Sequence, residues 1–158
     1  MEIPAEHGIV ERIYREDGAR LQRAVLMFTG SRPVAEDAVA EAFAQALRRG
    51  TALRDPLRWV WRAAFRIAAG QMADRRTSVT SMQTEPETFD QAAEPAMDLM
   101  AALAKLSPKQ RGSIILHHLG GYPATEVARI LGSTAPAVAV HLSVGRKRLR
   151  QLLEDRDG

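Results

Sequence analysis

Four groupings of side chains in this 158-residue sequence have types and spacing that could do chemistry. The first is Asp37 and Glu41, four residues apart, with Gln45 and Arg48 continuing the same helical stripe. A carboxylate pair at that spacing can hold a metal or share acid and base roles, but no histidine stands near it and no Glu-x-x-His occurs. A partner surface, or plain solvation, fits the pair better. The second grouping, the histidines, is scattered: His7 is terminal, His141 stands alone, and His117 and His118 would point about 100° apart on a helix. With no cysteine, disulfides, thiolate metal sites and a cysteine nucleophile are excluded together. There is no glycine-rich phosphate loop and no local Ser-His-Asp motif. The expectation is a protein that is not an enzyme, with no cofactor and no metal.

The third grouping lies between residues 55 and 76. Helical periodicity places Arg58, Trp61, Arg62, Phe65 and Arg66 on one face, and Trp59, Val60, Ala63, Ala64 and Ile67 on an opposite, core-facing side. Aromatic rings interleaved with guanidinium groups suit single-stranded nucleic acid, because bases stack on the rings at about 1–3 kcal/mol each while arginines meet phosphates. The same rings could instead pack on a neighbouring helix. The fourth grouping is near the end. A short helix with Val127, Ala128 and Leu131 stops at Gly132, and a longer one carries Val138, Leu142, Leu149 and Leu152 on one stripe. That is the layout of a helix-turn-helix, whose second helix enters the major groove. Two antiparallel bundle helices would give the same pattern, and the basic segment Arg146-Lys147-Arg148-Leu149-Arg150 favours DNA.

The elements that must position these groups are helices throughout. No alternating β-branched run reaches strand length and no Asn-Gly or Asp-Gly hairpin turn is present. Apolar periods predict helices over 9–28, 34–49, 55–76, 97–106, 108–119, 123–131 and 135–154. Their limits are set by Gly30-Ser31-Arg32-Pro33, by Gly50, by Asp55 capping before Pro56, and by Ser107 before Pro108. The stretch TSVTSMQTEPETFDQAAEP breaks the pattern and reads as a linker. The fold class is therefore all-α: a domain over 9–76, an acidic linker over 77–96, and a second domain over 97–154. Charge follows the same division. Residues 1–76 carry 13 bases against 10 acids, 77–98 carry five acids and no base, and 99–158 carry nine bases against four acids. Two basic lobes about an acidic connector suggest a polyanionic partner. At 46% apolar and 26% charged the composition is globular. No apolar run approaches the roughly 20 residues of a membrane span, and the N-terminus lacks a basic-then-apolar leader. The expected location is the cytoplasm, with no membrane partner.

The arrangement resembles the extracytoplasmic-function group of bacterial RNA polymerase sigma factors, in the sigma-70 family, over about residues 10–153. Ala35-Glu36-Asp37-Ala38-Val39-Ala40-Glu41-Ala42-Phe43 is similar to that family's A-E-D-x-V-Q-E-x-F segment, and Trp59-Val60-Trp61-Arg62 with Ala68 to its W-L-Y-R-I-A stretch. Leu106-Ser107-Pro108-Lys109-Gln110-Arg111 resembles L-P-x-x-Q-R, and Glu126-Val127-Ala128-Arg129-Ile130-Leu131-Gly132 resembles E-I-A-x-I-L-G. The resemblance implies a sigma-two-like and a sigma-four-like domain that direct core RNA polymerase to promoters. It implies that Asp37, Val39, Glu41 and Phe43 belong to the segment docking on the β′ clamp helices, with the second domain meeting the β flap. Arg58, Trp61, Arg62, Phe65 and Arg66 would contact the melted minus-ten element. Ser133, Thr134, Ala139, Val140, Ser143, Arg146, Lys147 and Arg150 would contact the minus-35 duplex. The linker would occupy the RNA-exit path, and an anti-sigma factor would be a further partner.

The recognition helix departs from the pattern T-V-K-S-R-L-S-R common in the family. Here it reads Ala137-Val138-Ala139-Val140-His141-Leu142-Ser143-Val144, with Val140 and Val144 opposite the core side, where they could touch thymine methyls or form an apolar patch for a protein partner. Fewer phosphate contacts predict weaker minus-35 binding and a shallower fall of affinity with salt than is usual in the family. The alternatives to a sigma factor are a helix-turn-helix regulator that binds duplex DNA without polymerase, and a helical interaction module whose DNA surface has decayed.

Overall fold

A computed structural model describes residues 5–78 and 94–157, and the described residues form helices and short turns, with no strand among them. The helices fall into two compact units. The linker expected over 77–96 lies largely outside the described residues, and its two ends are helical rather than extended.

The first unit is a three-helix bundle of α1 (Ala5–Thr29), α2 (Arg32–Arg49) and α3 (Pro56–Ser78). Gly30 adopts φ 67°, which turns the chain out of α1, and the Ser31 hydroxyl accepts the Val34 amide proton to start α2. Asp55 starts α3 in the same way, accepting from the Arg58 amide at 3.2 Å. Alanine dominates the inner face of α2: Ala35, Ala38, Ala42 and Ala46 are all fully buried. Side chains this small let α2 lie close to both of its neighbours. The large residues come from those neighbours, Leu21, Val25 and Phe28 on α1 and Val60, Trp61 and Phe65 on α3. Phe28 and Phe65 meet at 5.2 Å between ring centroids, and Trp61 stacks on Phe65 at 6.1 Å.

The second unit holds α4 (Glu94–Ala104), α5 (Pro108–His118), α6 (Ala124–Leu131) and α7 (Ala135–Asp157). The last of these packs against α4, α5 and α6. Its core is aliphatic, built on Leu103, Leu106, Ile115, Leu116, Val127, Ile130, Val138 and Leu142. Gly145 lets α7 come close to α5, since a Cβ there would stand 2.8 Å from the Ile114 Cδ1.

The segment from Leu106 to Arg111 has a structural task for most of its residues. Leu106 is buried, Ser107 and Gln110 form a reciprocal capping box, and Pro108 sits in the first turn of α5. Arg111 is only 8% exposed. Its guanidinium donates to the carbonyls of Leu103 at 2.9 Å, Ala104 at 3.4 Å and Leu106 at 3.0 Å. The Leu103 and Ala104 carbonyls lie in the last turn of α4, where no amide further along the helix can reach them, and Leu103 also accepts the Leu106 amide at 3.1 Å, so one buried cation helps to close α4 and ties it to α5. Arg111→Ala is expected to lower unfolding stability by about 2–4 kcal/mol, read by urea denaturation. A loss below about 0.5 kcal/mol, the range of ordinary surface substitutions, would mean that water replaces the guanidinium without cost.

Candidate nucleic-acid interface

The turn between α6 and α7 is built by backbone geometry. Gly132 is left-handed at φ 65° and ψ 44°, and the Ser133 amide returns to the Ala128 carbonyl at 2.8 Å. The Thr134 hydroxyl then accepts the Ala137 amide proton at 3.2 Å and starts α7. The two helix axes are bent by 99° across this turn, within the range of a helix-turn-helix. Val127, Ala128 and Ile130 seal the inner side of α6, while Glu126 is 3% exposed with Arg129 at 3.8 Å.

On α7, Val138 and Leu142 face the core, so the opposite side is open. Thr134, Ala139, Val140, Ser143, Arg146, Lys147 and Arg150 are all exposed, and Ser133 is half-buried within the turn. Val140 is 59% and Val144 47% exposed. Arg146 donates through Nε to His118 Nε2 at 3.2 Å. Partial burial, followed by the charges of Arg146 and His117, holds the His118 imidazole below its ordinary pKa, which keeps it a neutral acceptor for that bond. His117 donates through Nδ1 to the Tyr122 carbonyl at 2.8 Å, because a carbonyl can only accept.

Helix α3 corrects the face read from the sequence. Trp61 and Phe65 have no exposed surface and cannot serve as stacking platforms. The Trp61 indole donates to the Asp17 carboxylate of α1 at 2.7 Å, Asp17 also pairs with Arg20 at 2.9 Å, and the Arg20 guanidinium lies 5.2 Å from the Trp61 ring. The buried set is Val60, Trp61, Ala64, Phe65 and Ala68, one residue later at each step than the periodicity suggested. Arg58 and Arg66 remain exposed and Arg62 is half-buried between them. Arg58 pairs with Asp55 at 3.5 Å. The aromatic beside this arginine row is Trp59, half-buried, with the Arg49 guanidinium 5.2 Å from its ring. Sequence reasoning assigned Trp59 to the core. The signal that could have placed it is its position about 20° from Arg66 on the helical projection.

On α2 the four residues of the carboxylate segment divide by side. Val39 and Phe43 are buried, Phe43 edge-on to Tyr14 at 5.1 Å, while Asp37 and Glu41 are exposed. Glu41 accepts from Gln45 at 3.0 Å and from Arg48 at 3.1 Å, and these bonds lower its pKa. Asp37 borders a shallow depression with Pro33, Val34, Gln71 and Asp74. Among the described residues no three His, Cys, Asp or Glu side chains converge to hold a metal, and no single helix is long and apolar enough to cross a membrane.

Bent at 99° across its turn, with a core-anchored second helix and cations on the outer side, the second unit has the form of a helix-turn-helix. Residues 96–149 match the family model for sigma-70, region 4. Across both units the chain is 26% identical to the ECF RNA polymerase sigma factor SigL of Mycobacterium tuberculosis, covering 96% of this chain and 92% of SigL. It is 30% identical to SigJ of the same organism over 80% of this chain and 46% of SigJ. The fold is also that of the sigma factor RpoE of Bartonella quintana, solved in complex with the anti-sigma factor NepR. That match has a TM-score of 0.73 at 21% identity and covers 91% of this chain and 98% of RpoE. These likenesses are all to sigma factors, and the sigma-70 region 4 match falls on the second unit.

The two tryptophans allow a direct check of the corrected face. With Trp59 replaced by Phe, the remaining Trp61 should emit at short wavelength and resist acrylamide. With Trp61 replaced by Phe, Trp59 should be readily quenched. Equal quenching of the two would contradict the rotation of α3 described above.

Proposed function

We propose that this chain acts as the sigma subunit of bacterial RNA polymerase, directing core enzyme to promoters and helping to open them. The observation that carries this reading is that both helical units, and not the helix-turn-helix alone, are shared end to end with a sigma factor. In this reading the exposed carboxylates of Asp37 and Glu41 meet cationic groups on the β′ clamp helices, while Val39 and Phe43 hold α2 against the bundle. The second unit meets the β flap. On α3 the row Arg58, Arg62 and Arg66 follows the phosphates of the opened minus-ten strand, and Trp59 supplies the ring on which a base stacks. Trp61 and Phe65 act one layer behind, by fixing how α3 is turned. The outer side of α7 lies in the major groove of the minus-35 duplex, with Ser133 and Thr134 at its start and Arg146, Lys147 and Arg150 toward its end.

The chain itself catalyses no bond change in this account; the polymerase does. It works in the cytoplasm, where polymerase and chromosome are. An anti-sigma protein is a further proposed partner, in line with the complex in which RpoE was solved.

Run-off transcription from a promoter library, with purified core polymerase and either the wild-type chain or a D37A/E41A double variant, tests the reading. Defined start sites are expected with the wild type, reduced at least tenfold in the variant, a loss of about 1.4 kcal/mol or more in polymerase binding. A chain that selects duplex DNA but neither binds core polymerase nor supports any transcript would instead be a helix-turn-helix regulator.

A further inference from the structure

We propose that the first half of α7 reads its upstream DNA element through thymine methyl groups, with Val140 and Val144 as the residues that set specificity. This rests on the sigma reading above and names the chemistry by which that surface recognises sequence.

Residues 135–145 contain no Lys, Arg, Asp or Glu, and the first cation of the helix is Arg146. At 100° per residue, Pro136, Val140, Ser143, Val144 and Lys147 occupy one outward sector about 100° wide. Val138 and Leu142 already anchor α7 to the core on the other side, so the two outward valines are not needed for packing within the unit. They stand in the early turns of the second helix of a helix-turn-helix, where side chains reach base edges.

Valine neither donates nor accepts a hydrogen bond, so it cannot read the polar edge of any base. The one feature of the major-groove code that matches it is the C5-methyl group of thymine. Duplex DNA is also the occupant that the surroundings of the patch call for. Lys147 lies in the same sector, Arg146 and Arg150 flank it, and all three are exposed, which complements phosphate on either side of an apolar centre. The spacing fits as well. Cβ atoms at i and i+4 lie about 5–6 Å apart, between one and two base-pair steps at about 3.4 Å each. The expected target is a pair of thymines within two steps of each other, and Ser143 is placed to bond a neighbouring base of either kind.

The test uses holoenzyme assembled from core polymerase and the full chain, with upstream duplexes selected by that holoenzyme from a randomised library. Each thymine is then replaced in turn by deoxyuridine, which removes the methyl group and leaves every hydrogen-bonding group in place. At one or two positions the wild type should lose about fourfold in affinity, the weight of one methyl group returned to water. Val140→Ala or Val144→Ala should abolish that sensitivity at its own position and leave the other unchanged. Both variants alter exposed side chains and retain the core anchors. Holoenzyme that binds uracil and thymine duplexes equally, or that selects no upstream sequence, overturns the proposal alone. So does a uracil penalty that persists in both variants, and the outward valines then belong to a protein contact. If the chain fails to co-elute with core polymerase at all, the sigma reading fails and this proposal falls with it.

Discussion

The hydrogen bond from the Trp61 indole to the Asp17 carboxylate decides which side of α3 the first unit shows to its partners. It is 2.7 Å long and joins residues 44 apart in the sequence. An ionised acceptor makes such a bond stronger than a neutral pair, and the indole it holds is the largest fully buried side chain among the described residues. With Trp61 locked inward, Phe65 must stack behind it and meet Phe28, and Arg58 and Arg66 are left outside. The exposed arginine row of α3 is thus a consequence of what the interior requires.

The second unit sets the rotation of its own outer helix by the same means, with different residues. Val138 and Leu142 enter the core, Gly145 admits the Ile114 side chain, and Arg111 closes α4 beside them. What remains outward on α7 is an apolar first half and a cationic second half. The chain therefore carries its charge where phosphates would lie on α3 and at the end of α7, and withholds it where bases would lie. In the proposed sigma role one unit recognises opened single strand and the other closed duplex. An arginine row beside a half-open tryptophan suits the first task, and a groove-filling apolar helix flanked by cations suits the second.

Much of this was legible in the sequence because its causes are local. Ser31, Asp55 and Ser107 start helices where their hydroxyl or carboxylate oxygens can accept amide protons, and Gly132 turns the chain where only glycine does so freely. All four positions fall where the residue types predict. The division of α2 into buried Val39 and Phe43 and exposed Asp37 and Glu41 follows from period alone. The rotation of α3 does not. Eight of the ten residues from 59 to 68 are apolar, so two adjacent faces satisfy the period almost equally well. The choice between them is made by Asp17 on another helix, a partner that no window along the chain contains. Arg111 was hidden for a related reason: the residue that belongs to a motif in sequence serves carbonyls of the preceding helix in space.

The central claim is that one chain turns its α2 carboxylates toward polymerase and its α7 face toward DNA in the same complex. Site-specific photocrosslinking tests it most directly, with p-benzoylphenylalanine placed at position 37 or position 140 of the full chain, mixed with core polymerase and promoter duplex. The account predicts that position 37 crosslinks to the β′ subunit and position 140 to the upstream DNA. A crosslink to DNA from position 140 with none to polymerase from position 37, in a chain that still folds, would contradict it.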